Sequence, residues 1–159
     1  MKSVHNKGYT HIVLFSLDEP RYALELSAVE RVVRSVEITP LPGAPELVIG
    51  VINLQGRIIP VVNLRKRFNL PWREININDR LIIARTSRRP VALIVDSVIG
   101  IQIVEGIETS GKGQPLPSAS CLQGAAKVDG DIILIYDLDR FLSLDEERKL
   151  TASLSGGTA

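Results

Sequence analysis

Thirty-three of the 159 residues are valine or isoleucine, 15 Val and 18 Ile, and this β-branched load constrains the fold more than any other feature of the chain. Two heavy atoms on Cβ stiffen χ1, which costs a helix something and suits the pleated surface of a sheet. Aromatic residues make up only 4% of the chain, so the interior of such a fold must be aliphatic.

The apolar runs have strand length and are punctuated by turn residues. Thr10 to Leu17 leads to Asp18, Glu19 and Pro20, and a second run starts at Tyr22, which reads as a hairpin. Ser27 is placed to cap a short helical segment, of one turn or two, that carries Ala28, Val29 and Val32; Val32 to Ile38 then reads as strand again. Thr39-Pro40-Leu41-Pro42-Gly43-Ala44-Pro45 lacks donors at its prolines and reads as a loop that exposes Leu41. Val48 to Leu54 and Arg57 to Asn63 flank Gln55-Gly56, where Gly56 supplies the positive φ of a tight hairpin, and Pro60 requires an edge, a bulge or a bend. Leu64 to Phe68 reads as a short basic helix, and Pro71 to Asp79 as loop. Leu81 to Ala84 pairs with Val91 to Val95 across Ser87 to Pro90, and Ser97 to Val104 and Leu122 to Val128 are strands on either side of a mobile segment, Ser110 to Pro117. Asp129-Gly130 turns the chain into Ile132 to Tyr136. Asp139 to Leu150 carries Phe141, Leu142, Leu144 and Leu150 among charges, with Ser143 placed to cap a C-terminal helix ahead of Asp145 and Glu146. About nine short strands with close turns imply an all-β chain, built as one or two small barrels or as a sandwich. The domain is expected over residues 10–150, between a flexible N-terminus (1–9) and a flexible tail (151–159).

Composition narrows the function. The single cysteine, Cys121, excludes an internal disulfide and a thiolate metal cluster, and Met1 to Gly8 has no apolar signal, so a reducing cytoplasmic location is expected. No apolar run approaches the length of a membrane span, so membrane proximity would come through a partner and not by insertion. Nineteen basic against eighteen acidic side chains give no field for a phosphate backbone, and no nucleic acid ligand is expected.

No catalytic constellation is legible, and none of the residues is assigned a catalytic, cofactor-binding or metal-binding role. His5 and His11 lie far in sequence from Cys121, which reads as a small buried residue. Gly111-Lys112-Gly113, with Gly106 ahead of it, resembles a phosphate loop only until Lys112 is followed by Gly113 and prolines in place of Ser or Thr and a helix. Asp96, Asp129, Asp131, Asp137 and Asp139 read as turn residues around hydrophobic hairpins in preference to a calcium loop. The cluster Leu64-Arg65-Lys66-Arg67, near Phe68 and Trp72, reads as the solvated face of a helix in preference to a nucleic-acid platform. A binding surface is what remains.

The run Gly50-Val51-Ile52-Asn53-Leu54-Gln55-Gly56-Arg57-Ile58-Ile59-Pro60-Val61-Val62-Asn63-Leu64 closely resembles the signature G-V-x-N-L-R-G-x-x-x-P-x-x-D-L of CheW-like domains. Tyr22 to Leu26 with Val29, Leu93 to Val98, and Leu122 to Lys127 before Ile132 to Asp137 resemble further parts of that family, so the likeness spans roughly Thr10 to Leu150. It implies two intertwined five-stranded SH3-like barrels with short helices and a C-terminal helix. It also implies a non-enzymatic adaptor without cofactor, coupling the cytoplasmic tip of a methyl-accepting chemoreceptor to the regulatory domain of a CheA-like histidine kinase. The alternative is an SH3-like module that binds peptide or nucleic acid outside chemotaxis.

Mapped by motif, the resemblance implies a receptor groove of Val29, Arg31, Leu54, Gln55, Gly56, Val95 and Ile101, with plain core packing as the competing role for Leu54, Val95 and Ile101. It implies a kinase surface of Ile38, Leu41, Pro42, Val48 and Gly50. The chain departs from the family at two groove positions, carrying Gln55 where the family usually has Arg, and Arg31 where it usually has Glu. Gln cannot reproduce a planar charged contact, and Arg for Glu reverses the field that a docking receptor meets.

Overall fold

The computed structural model describes residues 8–107 and 121–155. Ten strands, β1 (Tyr9–Ser16), β2 (Arg21–Glu25), β3 (Val29–Arg34), β4 (Val48–Leu54), β5 (Arg57–Val62), β6 (Arg80–Arg85), β7 (Pro90–Val95), β8 (Ser97–Glu105), β9 (Leu122–Val128) and β10 (Asp131–Tyr136), make two five-stranded sheets. Their orders are β8-β1-β2-β10-β9 and β3-β6-β7-β5-β4. The second sheet is drawn entirely from the chain between β2 and β8, so the two are interlocked. Each repeats one pattern, two antiparallel pairings, then a parallel one (β2 with β10, β7 with β5), then a hairpin. This matches the expected pair of small barrels.

Three apolar clusters, two aliphatic and one that also holds the aromatic rings, explain why so many strands are apolar on both faces. Ile12, Leu14, Ala23, Val104, Val128, Ile133 and Ile135 fill the interior of the first sheet. Ile52, Ile59, Val61, Leu81, Ile83 and Ala92 fill the second. The alternate residues, among them Phe15, Leu24, Ile82, Ala84, Leu93 and Val95, meet in a third cluster between the sheets. A strand such as Val91–Val95 therefore reads as a continuous apolar run because one face lines its barrel and the other lines the seam.

Local chemistry sets the connections. Gln55 (φ 54°) and Gly56 (φ 87°) form the two-residue β4–β5 turn, and Asp129 (φ 53°) and Gly130 (φ 86°) form its β9–β10 counterpart. Pro60 faces Val51 in β4, and pairing to β7 begins only at Val61, so the proline stands where its strand is still locally an edge. Helix α1 (Leu64–Arg67) is capped by Asn63, whose side chain accepts the Lys66 N–H. The C-terminal helix α2 (Leu144–Leu154) opens with a full capping box in which Ser143 and Glu146 satisfy each other's backbone N–H groups.

Two expectations are corrected. Ser27 caps nothing; it lies inside a single 3-10 turn, Leu26–Ala28, which ends where Val29 enters β3. Pairing of Val29 to Ala84 in β6 claims the residues that helical spacing had grouped. The C-terminal helix also runs past Leu150 to Leu154, because Leu150 is fully buried, Leu154 packs on the seam cluster, and Arg89 donates to the Thr151 hydroxyl. Residues 1–7, 108–120 and 156–159, with His5, the Ser110 to Pro117 segment and Gly111-Lys112-Gly113, lie outside the described residues.

Candidate functional site

The start of β3 is clasped to the β4–β5 turn. Arg31 Nη2 donates to Gln55 Oε1 at 3.0 Å, and Arg57 Nη2 donates to Glu30 Oε2 at 2.6 Å. The Asn53 side-chain oxygen accepts the Gly56 N–H at 2.9 Å and locks the turn from within. The Arg57 hydrogen bond, helped by the nearby charges of Arg57, Arg31 and Arg85 and opposed by slight burial, holds the Glu30 carboxyl below its ordinary range. The two positions at which the chain departs from the family motif thus touch each other.

The remaining groove residues divide between surface and core. Val95 is 0% exposed and belongs to the seam cluster, Leu54 and Val29 are half-buried, and Ile101 is 57% exposed on β8. Core packing is therefore what the structure assigns to Val95. Ile99 and Ile103 are exposed on either side of Ile101, a period-two stripe legible in Ile99-Gly100-Ile101-Gln102-Ile103 that motif mapping alone passes over. Val32, exposed on β3, was likewise unassigned. Arg34, Arg80 and Val95 stand in one cross-strand row over β3, β6 and β7. Asp96 alone separates that row from the first residue of β8.

On the predicted kinase surface only Pro42 is exposed. Leu41, expected in solvent, is half-buried against the seam cluster, which also contains Leu150 and receives Leu154 of α2. The loop is held close to that helix: Gly43 (φ 82°) has Ser153 Oγ only 3.2 Å from where a Cβ would stand. Val48 is buried, and Ile38 packs on the interior of the second barrel. Gly50 has a structural reason to be glycine, since a Cβ would lie 2.3 Å from the Thr39 carbonyl oxygen, where residue 39 bridges to Val51 and covers the edge of β4.

The basic cluster is absorbed by ion pairs, and its reading as a solvated face is corrected. Arg65 is buried and donates through Nη2 to Asp18 Oδ1 at 2.9 Å and to both oxygens of Asp96 at 3.0 Å. Arg73 bridges Asp96 to the buried Asp79, whose other oxygen accepts the Asn76 N–H. Arg67 binds Glu146, and Lys66 reaches Glu46. Burial alone would push the Asp96 carboxyl up, but hydrogen bonds from Arg73, the Asp18 N–H and Arg65 bring it below its ordinary range. This knot ties the β1–β2 turn, α1, the 69–79 loop and the β7–β8 crossing together. Asp131 pairs with Arg21, Asp137 caps the Asp139 N–H, and Asp139 accepts the Ser87 N–H, so these carboxylates are structural.

The aromatic rings form no stacking platform. Phe15, Tyr22, Phe68, Tyr136 and Phe141 pack on one another inside the seam, with successive centroids 4.7 to 6.3 Å apart, and burial raises the Tyr136 hydroxyl pKa well above its ordinary value. Cys121 is fully buried, its thiol donating to the Arg140 carbonyl at 3.1 Å. Among the described residues no group of three or more His, Cys, Asp or Glu is placed to hold a metal ion, and no helix is long and apolar enough to cross a membrane.

Comparison with known proteins covers most of the chain. Residues 11–146 match the family described as the CheW-like domain. The chain is 35% identical over 133 residues to the chemotaxis protein CheW of Thermotoga maritima, covering 82% of this chain and 86% of that protein. It is 28% identical over 145 residues to the chemotaxis protein CheW of Rhizobium meliloti, covering 87% and 91%. Among solved structures it is similar to the scaffolding protein TtCheW from Thermoanaerobacter tengcongensis, with a TM-score of 0.78 and 34% identity over 86% of this chain and 94% of that one.

Proposed function

The chain belongs to the CheW-like domain family, and we propose on that footing that it is a non-enzymatic cytoplasmic adaptor which couples a chemoreceptor tip to the regulatory domain of a CheA-type histidine kinase. The observation that carries this reading is the exposed Gln55–Gly56 turn, held by Arg31 at the start of β3, in a molecule whose two barrel interiors are filled with aliphatic side chains and whose seam is filled with aliphatic and aromatic ones. Such a chain offers surface for docking. The receptor side comprises the turn with Val29, Val32, Ile99, Ile101 and Ile103; Val95 supports it from beneath. The kinase side comprises the loop around Pro42, which Leu41, Val48 and Gly50 position from inside.

The mechanism is one of linkage. A receptor in two conformations changes which contacts the adaptor can satisfy, and kinase output shifts by no more than the difference in contact free energy between the two states. Rigidity helps, because the Arg65–Asp96–Arg73 knot fixes the crossing between barrels and leaves little motion to absorb that difference.

The test is calorimetric titration of the full chain with the regulatory domain of a cognate CheA-type kinase. Binding at micromolar concentrations is expected, weakened by Pro42→Glu with no change in thermal unfolding. Absence of binding by the native protein at tens of micromolar would remove the kinase half of the proposal.

A further inference from the structure

Three large apolar side chains stand in solvent on the loop between α1 and β6. Trp72, the only tryptophan of the chain, is 60% exposed, Ile75 38% and Ile77 85%. Among the described residues none of the three apolar clusters takes them in, and Trp72 stands apart from the five rings packed in the seam. The backbone that carries them is nevertheless fixed on both sides of each group. Before Trp72, Arg65 Nη1 donates to the Pro71 carbonyl at 3.3 Å; after it, Arg73 is held by Asp79 and Asp96, and its Nη1 donates to the Glu74 carbonyl at 2.9 Å. Around Ile77, the Asn76 N–H donates to Asp79 Oδ2 and the Asn78 N–H to Asn76 Oδ1, both at 2.7 Å. Apolar groups on a backbone ordered in advance lose little freedom on docking, and an exposed tryptophan so placed has the makings of an interface anchor.

This patch continues the kinase side of the molecule. Ile49 is the bulged residue of β4, between Val48, which pairs with Val62, and Gly50, which pairs with Val61. It shares a hollow with Ile94, Trp72 and Ile75, and both Ile49 and Ile94 pack on the interior cluster of the second barrel. The chain leading into β4 is tied to the base of the same loop: the Asn63 N–H donates to the Leu47 carbonyl at 2.8 Å, and Lys66 pairs with Glu46 at 3.3 Å. The exposed isoleucine stripe of the receptor side lies on β8, in the other sheet. We infer that Trp72, flanked by Ile75 and Ile77, anchors the contact with the regulatory domain of the kinase, an inference that rests on the kinase half of the proposed function. The complementary feature on that domain is an uncharged apolar hollow that receives the indole. Arg73 is already engaged with Asp79 and Asp96, so the anchor works by desolvation of apolar surface and is insensitive to salt.

The test labels the full chain with 5-fluorotryptophan, which gives one fluorine resonance, from Trp72, and titrates it with the unlabelled regulatory domain of a cognate CheA-type kinase while calorimetry follows binding. The resonance should shift in step with the heat of binding. Trp72→Ala should weaken binding at least about tenfold, by the same factor at low and high salt. Because Trp72 also lines the hollow over the second barrel, Ile77→Ser serves as the second variant: a side chain 85% exposed contributes little to the fold, so binding should weaken about threefold with the thermal midpoint unchanged. Binding by calorimetry with an unmoved resonance, or with full affinity in both variants, overturns the anchor and leaves the kinase reading standing. Absence of both heat and shift at tens of micromolar removes the kinase reading and the anchor with it. A resonance that moves with the concentration of the chain alone assigns the face to a second copy and likewise overturns the inference.

Discussion

Replacing Arg65 by alanine tests what holds the two barrels in register. Its side chain is 9% exposed and contacts Asp96, itself 24% exposed, and Asp18, at 43%. Truncation removes the buried methylenes beyond Cβ, worth about 1.5 kcal/mol at ~0.8 kcal/mol per CH2. It also leaves two carboxylates facing a vacated site. Breaking a fully buried pair costs roughly 3–5 kcal/mol, but Asp18 is solvated and Asp96 keeps Arg73, so a further ~1.5 kcal/mol is the appropriate share. The total of about 3 kcal/mol, with a urea slope of about 2 kcal/mol/M, moves the unfolding midpoint down by ~1.5 M. The electrostatic part has a sign in pH. The folded-state pKa of Asp96 is depressed, so its contribution is present above the unfolded value of about 3.9 and is lost as pH falls through the folded value below it. The difference between native and Arg65→Ala should therefore narrow from pH 7 towards pH 3, leaving mainly the packing share. A double-mutant cycle with Asp96→Asn should give a coupling of about 1 kcal/mol. A midpoint shift under ~0.5 M, or a difference that stays constant with pH, would refute the knot as an electrostatic tie.

Other expectations follow from single contacts. Gly50→Ala should cost at least about 2 kcal/mol in urea unfolding, because its Cβ meets backbone in place of a side chain that can turn aside. Gln55→Asn should leave stability within roughly 0.5 kcal/mol of native in urea unfolding, since Asn suits the left-handed conformation recorded at φ 54° before Gly56 but is too short to keep the Arg31 hydrogen bond. Leu41→Asp should lower the thermal midpoint as well as kinase binding, whereas Pro42→Glu should affect binding alone, because Leu41 packs on the seam and Pro42 does not. The Cys121 thiol should react with a soluble disulfide reagent only at the rate of unfolding; fast labelling of the native protein would show that the seam opens locally.

Much of the architecture is legible in the chain because it is local. Valine and isoleucine in strand-length runs, Gln55-Gly56 and Asp129-Gly130 between such runs, and Ser143 ahead of Glu146 are decided within a few residues of themselves. The motif from Gly50 to Leu64 likewise folds as one hairpin leading into one short helix. What the residues by themselves leave open is which face each occupies and which distant group it meets. Val95 and Ile101 look alike in sequence, yet one lines the seam and the other faces solvent, because β7 is covered on both sides and β8 is an edge. Leu41 reads as exposed until a helix more than 100 residues away closes towards its loop. Arg65 reads as part of a solvated basic run until two aspartates from other turns converge on it. Arg31 and Gln55, separate departures from the family pattern along the chain, become one hydrogen bond, and Arg34 and Arg80 become one row of charge. The elements follow from the chain alone because periodicity and turn chemistry are short-range, and the family resemblance lies in the motif from Gly50 to Leu64. Exposure, pairing and the sign of the surface belong to the folded molecule, because they depend on which elements lie side by side across the seam.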